Sequence, residues 1–228
     1  MTTAIIVAAG SGTRMGPGID KLFLEVEGLP VVGHTWRRFD SHPEIDHIVL
    51  VVRISQTASF KDLAQQLKVT KPYTLAIGGR ERQDSVLHGL QSVPNGTTWV
   101  AIQDGARPCT SNATIFLCLQ AARRTGAAVA AQRVTDSIKE ASPADTTVAR
   151  HLDRSLLWSV QTPQCFGLSL ILKALLYVQE RNLQVTDDTA ACGLAGIPVE
   201  LAECIDPNPK VTSAIDLPVV AYWLRPVA

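Results

Sequence analysis

The 228-residue chain has no surplus of charge of either sign: 21 Lys and Arg balance 21 Asp and Glu. No global basic field is present to draw in nucleic acid, so an anionic ligand must be held by local clusters. Cysteines are few and scattered. The five of them (Cys109, Cys118, Cys165, Cys192 and Cys204) are odd in number and form no C-x-x-C pair. That pattern argues against a disulfide framework and a zinc site, and for reduced, buried thiols in a cytoplasmic protein. The five histidines (His34, His42, His47, His88 and His151) lack H-x-x-x-H spacing. Long apolar runs are missing too. No segment reaches the roughly 18 residues needed to span a bilayer, and the run at 4–9 has neither the length nor the basic flank of a signal peptide. Membrane association is therefore not expected.

What is present is the composition of a packed core. Hydrophobic residues make up 46% and charged residues 18% of the chain, which excludes disorder. The length suits one domain spanning 1–228.

Short β-branched runs alternate with helical stretches. "AIIVAA" (4–9), "HIVLVV" (47–52), "YTLAIG" (73–78), "TWVAIQD" (98–104), "AAVAAQ" (127–132) and "PVELAE" (198–203) read as strands. Helices are expected at 30–42, with Pro30 in the first helical position, and at 55–68, with Ser55 as cap. Further helices are expected at 82–93, 111–126 with Gly126 closing the end, 168–182, 186–196 and 213–224. This rhythm predicts an α/β fold with a parallel sheet covered on both faces. Ligands bind such sheets at the carboxyl ends of the strands. The rhythm breaks at 134–159, a polar stretch with Pro143 at its middle. "DSIKE" and "TVARHLDR" fit a hairpin too poor in apolar residues for a core, so it should project from the body.

Three polar clusters follow expected strand ends. The first, "AAGSGTRMGPGIDK", matches neither familiar phosphate loop. Its Gly10-x-Gly12-x-x-x-Gly16 spacing is one residue too long for the dinucleotide fingerprint, and Lys21 is followed by Leu22 with no preceding glycine, unlike a P-loop. A glycine loop able to cradle phosphates remains, followed by Arg14 and Lys21; the plain alternative is a turn with two solvated cations. In the second, "GGRERQDSV", Gly79 permits close backbone approach and Ser85 can meet a nucleobase edge; a surface helix terminus is the alternative. The third, "DGARP", sets Asp104 beside Arg107, suited to a magnesium-bound phosphate or to a salt-bridged turn. "TPQ" (162–164), "TDD" (186–188) and "NPKVT" (208–212) say little singly.

In order, the blocks AAGSGTRMG, DKLF, GGRERQDSV, DGARP, TDSIKE, LDR, QTPQCF, TDDTA and NPKVT resemble the 2-C-methyl-D-erythritol 4-phosphate cytidylyltransferases over essentially the whole chain. The resemblance implies a Rossmann-like nucleotidyltransferase fold with a mixed, mostly parallel sheet. It also implies a protruding β-arm at about 134–157 that clasps a second copy in a homodimer. The implied reaction joins CTP to a polyol phosphate with Mg²⁺ and releases pyrophosphate. By motif, Arg14 and Lys21 contact the CTP phosphates. Ala8, Ala9, Gly10, Ser11, Gly12, Gly79, Ser85 and Gly105 hold the nucleotide. Asp104 and Arg107 lie by metal and substrate, with Asp104 the metal ligand. Arg154 and Lys210 position the acceptor phosphate with Ser137 and Thr186 nearby, Ser137 and Arg154 serving the partner subunit. The chain departs from the family pattern at Asp20 and Leu22, where Pro-Lys-Gln is usual, and at Ser137 and Pro209. Ribitol-5-phosphate cytidylyltransferases share the fold, but more often open Ala-Gly-Gly. A non-catalytic nucleotide-binding regulator is the rival of another class, with no need to keep Arg14, Lys21, Arg154 and Lys210 together.

Overall fold

The computed structural model describes residues 1–10 and 20–225. Strands β1 (Thr2–Val7), β4 (His47–Val52), β5 (Tyr73–Ile77), β6 (Trp99–Asp104), β7 (Ala127–Arg133), β10 (Trp158–Gly167) and β11 (Glu200–Glu203) form one seven-stranded sheet in the order β11-β7-β10-β6-β1-β4-β5. A minor ribbon, β2 (Glu25–Val26) with β3 (Leu29–Pro30), precedes the first helix.

The core has two layers because successive side chains on a strand point to opposite faces. On β4, Ile48, Leu50 and Val52 face one layer, and Val49 and Val51 face the other. The first layer is covered by α1 (Val31–Asp40), α2 (Thr57–Leu67), α4 (Asn112–Thr125) and α7 (Asp216–Leu224). The second is covered by α3 (Arg82–Gln91), α5 (Leu168–Glu180) and α6 (Asp188–Leu194). Strands buried on both sides need apolar residues at every position, which explains the continuous runs in the sequence.

The parallel-sheet expectation is corrected at one strand. β10 runs antiparallel to both neighbours, pairing Gln164 with Ile102 of β6 and with Val129 of β7, so the sheet is mixed and mostly parallel. Its sequence, WSVQTPQCFG, carries polar residues and a proline where the other strands are apolar, so it gives no strand signal. The pairing with β7 shifts between Val160 and Gln164, where the proline interrupts the ladder. Two helix starts also differ. Pro30 is the residue before α1 with extended backbone, and Ser55 lies in a 3-10 turn before α2 instead of capping it.

The hairpin forms as expected, though with shorter limbs. β8 (Lys139–Ala141) and β9 (Val148–His151) pair antiparallel and are exposed throughout. At its root, the Arg133 guanidinium lies over the Trp158 ring at 4.4 Å.

The chain runs β1-β4-β5 in one direction across the sheet and then returns to the other side of β1 with β6. This reversal opens a crevice at the carboxyl ends of β1 and β6. Helix α3 frames it and approaches the sheet closely at Gly89, where a Cβ would lie 2.7 Å from Ile5 Cγ2 and 2.8 Å from Val51 Cγ2. Gly89→Ala is expected to destabilise the fold by about 1–3 kcal/mol through overpacking, measured by urea unfolding.

Candidate active site

The crevice holds a cavity of about 360 Å³. Its floor comes from strand ends and the turns after them: Ala9 and Gly10 after β1, Gly79 after β5, and Gly105 after β6. Glycines permit this approach. A Cβ on Gly78 would collide with the Ala9 side chain, and one on Gly79 with Asp84. Ala8 lies beneath, fully buried, its N–H committed to the Val51 carbonyl at 2.8 Å. Ser85 lines the cavity, but its hydroxyl already accepts from the Gly79 N–H and donates to the Glu81 carbonyl, both at 3.1 Å. It therefore shapes the glycine turn as well as facing the cavity. Ser11, Gly12 and Arg14 lie outside the described residues.

Asp104 ends β6 at the back of the cavity with 13% of its side-chain surface exposed. Lys210 Nζ contacts its Oδ2 at 2.6 Å, Arg107 Nε approaches the same oxygen at 3.8 Å, and Arg82 Nε lies 3.6 Å from Oδ1. Burial works against the charge of Asp104, but Lys210, Arg82 and Arg107 outweigh it and hold its pKa below the usual carboxylate value.

A second cavity of about 220 Å³ adjoins the first and shares Asp104, Arg82 and Lys210 with it. Arg107, Thr162 and Thr186 complete much of its wall. Arg107 donates to the Asn208 carbonyl at 2.6 Å, while its buried Nε makes no hydrogen bond among the described residues. A buried donor left in that state is costly, so a ligand oxygen there is stabilising.

Lys210 is delivered by a polar anchor. Asn208 is buried and donates to Gln161 Oε1 at 3.0 Å and to the Thr162 carbonyl at 2.8 Å, and it accepts from Thr110 at 2.9 Å. The Val211 N–H then bonds the Ala106 carbonyl at 2.8 Å. Lys21 reaches the same loop from the other rim, its Nζ donating to the Val211 carbonyl at 2.9 Å. Both lysines line the first cavity.

Three functional groups were not singled out by the sequence. Arg82 spans the site, its Nη2 donating to Asp188 Oδ2 at 2.9 Å while its Nε faces Asp104. Burial disfavours its charge, but Asp188 and Asp104 more than compensate and raise its pKa. Asp188 is fully buried, and burial outweighs Arg82 so that its pKa is raised. Gln164 fastens this acid by accepting from the Asp188 N–H at 3.1 Å. The signals present were the GGRERQDSV, TDD and TPQ blocks, whose partners are distant in the chain.

Ser137 and Arg154 line neither cavity. Both are exposed on the arm, and Arg154 donates to the Thr135 carbonyl at 2.6 Å. Asp20, the departure beside Lys21, points away from the lysine toward Arg53 and Gln56.

Removing Asp104 leaves three cations facing one another. Asp104→Asn is expected to cost about 3 kcal/mol at pH 7, as for a broken buried ion pair. Because the folded-state pKa is depressed, the wild-type advantage is complete above the ordinary carboxyl value of 3.8 and is lost as pH falls through the lower folded-state value. Urea unfolding of both proteins between neutral and strongly acidic pH checks this.

The comparisons with known proteins agree with this geometry. The family model described as 2-C-methyl-D-erythritol 4-phosphate cytidylyltransferase matches residues 2–225. A protein of that name from Synechococcus elongatus is 40% identical over 222 residues, covering 97% of this chain and 95% of its own. One from Bacillus velezensis is 39% identical over 214 residues, covering 93% of this chain and 91% of its own. The crystal structure of 4-diphosphocytidyl-2C-methyl-D-erythritol synthase from Anaerococcus prevotii superposes with a TM-score of 0.87 at 27% identity, covering 98% of this chain and 95% of that one. The Francisella tularensis 2-C-methyl-D-erythritol 4-phosphate cytidylyltransferase gives 0.82 at 26% identity, covering 98% and 99%. With a match along nearly its whole length and the same fold, the chain belongs to the 2-C-methyl-D-erythritol 4-phosphate cytidylyltransferase family.

Proposed function

We propose that this chain transfers the cytidylyl group of CTP to 2-C-methyl-D-erythritol 4-phosphate and releases pyrophosphate. The observation that carries this reading, in a chain of this family, is the cation-ringed Asp104 shared by two adjoining cavities. The glycine-floored cavity suits the nucleotide. The cavity walled by Arg107, Lys210 and Thr186 suits a small phosphorylated polyol.

A phosphate oxygen of the acceptor attacks the α-phosphorus of CTP, and the bond from that phosphorus to its bridging oxygen breaks. Pyrophosphate carries away the electron pair. The nucleophile is already an oxyanion, so no strong general base is needed. The work is to bring two anions together and to neutralise charge as it builds. Lys21 and Arg14 meet the nucleotide phosphates. Lys210 and Arg107 hold the acceptor phosphate, and the buried Arg107 Nε, which makes no hydrogen bond among the described residues, supports that placement. Asp104 draws the cations together, offsets their mutual repulsion and orients them. Ala9, Gly10, Gly79 and Gly105 provide the backbone wall for the nucleotide.

A Mg²⁺ ion fits Asp104, whose Oδ1 accepts no hydrogen bond among the described residues. Among the described residues no cluster of three or more His, Cys, Asp or Glu is present. That is consistent with an ion held by one carboxylate together with substrate phosphates. When bound it offsets phosphate charge.

The protein acts as a homodimer in this reading, with Ser137 and Arg154 of one arm serving the partner's acceptor site. That neither residue lines either cavity of its own chain supports this, as do the exposed Val148 and Leu156 on the arm. Five buried cysteines with free thiols support a cytoplasmic setting, and no helix among the described residues is long and apolar enough to cross a membrane.

Pyrophosphate release from CTP, measured with each acceptor in turn, tests the reaction. Turnover is expected with methylerythritol phosphate and little with ribitol 5-phosphate; the reverse preference sinks the reading. A mixing experiment tests the shared site. Lys21→Ala and Arg154→Ala homodimers are each expected to lose about 100-fold or more in kcat. A purified heterodimer of the two rebuilds one intact site and should recover about half of wild-type turnover, since the two defects fall in the same remaining site. No recovery places Arg154 in the site of its own chain.

A further inference from the structure

Lys21 sits in a short 3-10 turn, Lys21–Phe23, and the residue before it is acidic. An acid beside a phosphate-binding lysine lowers the positive potential unless its charge is met elsewhere. Here it is met. Asp20 Oδ2 accepts from both Arg53 Nη2 and Gln56 Nε2, and Arg53 Nε donates to Gln56 Oε1 at 3.0 Å, closing the three side chains into a ring. Asp20 Oδ1 is also used, accepting from the Leu22 N–H at 3.0 Å and so capping the turn. Its backbone carbonyl accepts from the Phe23 N–H at 3.0 Å.

Arg53 directly follows β4, the strand beside β1 at the crevice, so the ring fastens the lysine turn to the central sheet. Hydrophobic contacts pin the other side. Leu22 is buried, and the Phe23 ring meets Phe60 of α2 edge-on at 5.2 Å. From that fixed base the Lys21 side chain extends across the cavity rim to the Val211 carbonyl.

We propose that Asp20, with Arg53 and Gln56, is a positioning element for Lys21: the ring sets the turn so that the lysine ammonium enters the nucleotide cavity, and the Arg53 charge cancels that of Asp20 so that the lysine keeps its field. This rests on the proposed cytidylyl transfer for its kinetic consequence, but not for its geometry. A misplaced cation binds ground-state phosphate nearly as well yet stabilises the transition state poorly. Loss should therefore fall on kcat.

Asp20→Asn keeps the capping oxygen and removes the charge; Arg53→Met removes the donors. Each is expected to lower kcat about tenfold with the KM for CTP within about twofold. The double variant should be no worse than the weaker single, because the two residues act as one unit. An independent readout needs no turnover: acetic anhydride labelling of the ligand-free protein, followed by mass spectrometry. Lys21 should label several-fold faster in both variants, with the exposed Lys61 and Lys173 unchanged as internal references. Gln56→Met, which removes one donor to Asp20 and the acceptor for Arg53 Nε but leaves the Asp20–Arg53 ion pair, should shift both readouts the same way by less, and decides the matter if either larger change prevents folding. Additive losses, a change in KM alone, or unchanged Lys21 labelling overturns the proposal. If the wild-type protein shows no transfer to any polyol phosphate, the functional reading fails, and the labelling still decides the ring.

Discussion

The site depends on one carboxylate kept charged in a mostly buried position. Asp104 is surrounded by Lys210, Arg82 and Arg107, each carried on a different segment. A buried charge is tolerated only when paired, and the cations are equally dependent on the acid. The arrangement therefore ties β6 to α3, to the loop at 204–212 and, through the Arg82–Asp188 bond, to α6. The second acid is held in turn by Gln164 of β10. The polar residues that deprive β10 of a strand-like sequence are thus the ones that organise the site. Gln161 and Thr162 receive Asn208, and Thr162 also accepts from the Asp104 N–H at 3.1 Å.

This network gives the crevice its chemical character. It concentrates positive charge at the carboxyl ends of the strands in a chain with no net charge. Among the described residues it supplies no paired nucleophile and base, which suits a reaction between two phosphates whose difficulty is electrostatic repulsion. The two cavities meet at Asp104, so both face the same cations. Ser85 illustrates a quieter use of polarity. Its hydroxyl is occupied by Gly79 and Glu81, and by shaping that turn it exposes the glycine backbone that a nucleotide can approach.

Much of this was legible in the sequence where the signal was local. The central strands announced themselves because both faces are buried and every position is apolar; β4 falls at His47–Val52, where its run lies. Gly126 ends α4 in the left-handed conformation expected of a helix-closing glycine. The arm was legible because a stretch that cannot be buried must project. Residues Lys21, Gly79 and Asp104 could be picked out by type and by their place after strands, Lys210 only through the family resemblance, and the four do converge. β10 was not legible, because its pairing is set by two neighbours and not by its own pattern. Its direction was equally hidden, since antiparallel insertion between β6 and β7 is decided by the arm returning from the same end of the sheet.

The sequence by itself determined the layered α/β class, the exposed arm, the family and the residue types available for phosphate chemistry. These follow from periodicity and motif order, which are properties of neighbours along the chain. Only the tertiary structure decided which charges pair. Asp20 adjoins Lys21, yet its carboxylate turns to Arg53 and Gln56, while Arg82 finds Asp188 at a separation of 106 residues. The physical reason is that an ion pair is chosen by distance and desolvation in the folded molecule, and neither quantity exists until the strands and helices have packed.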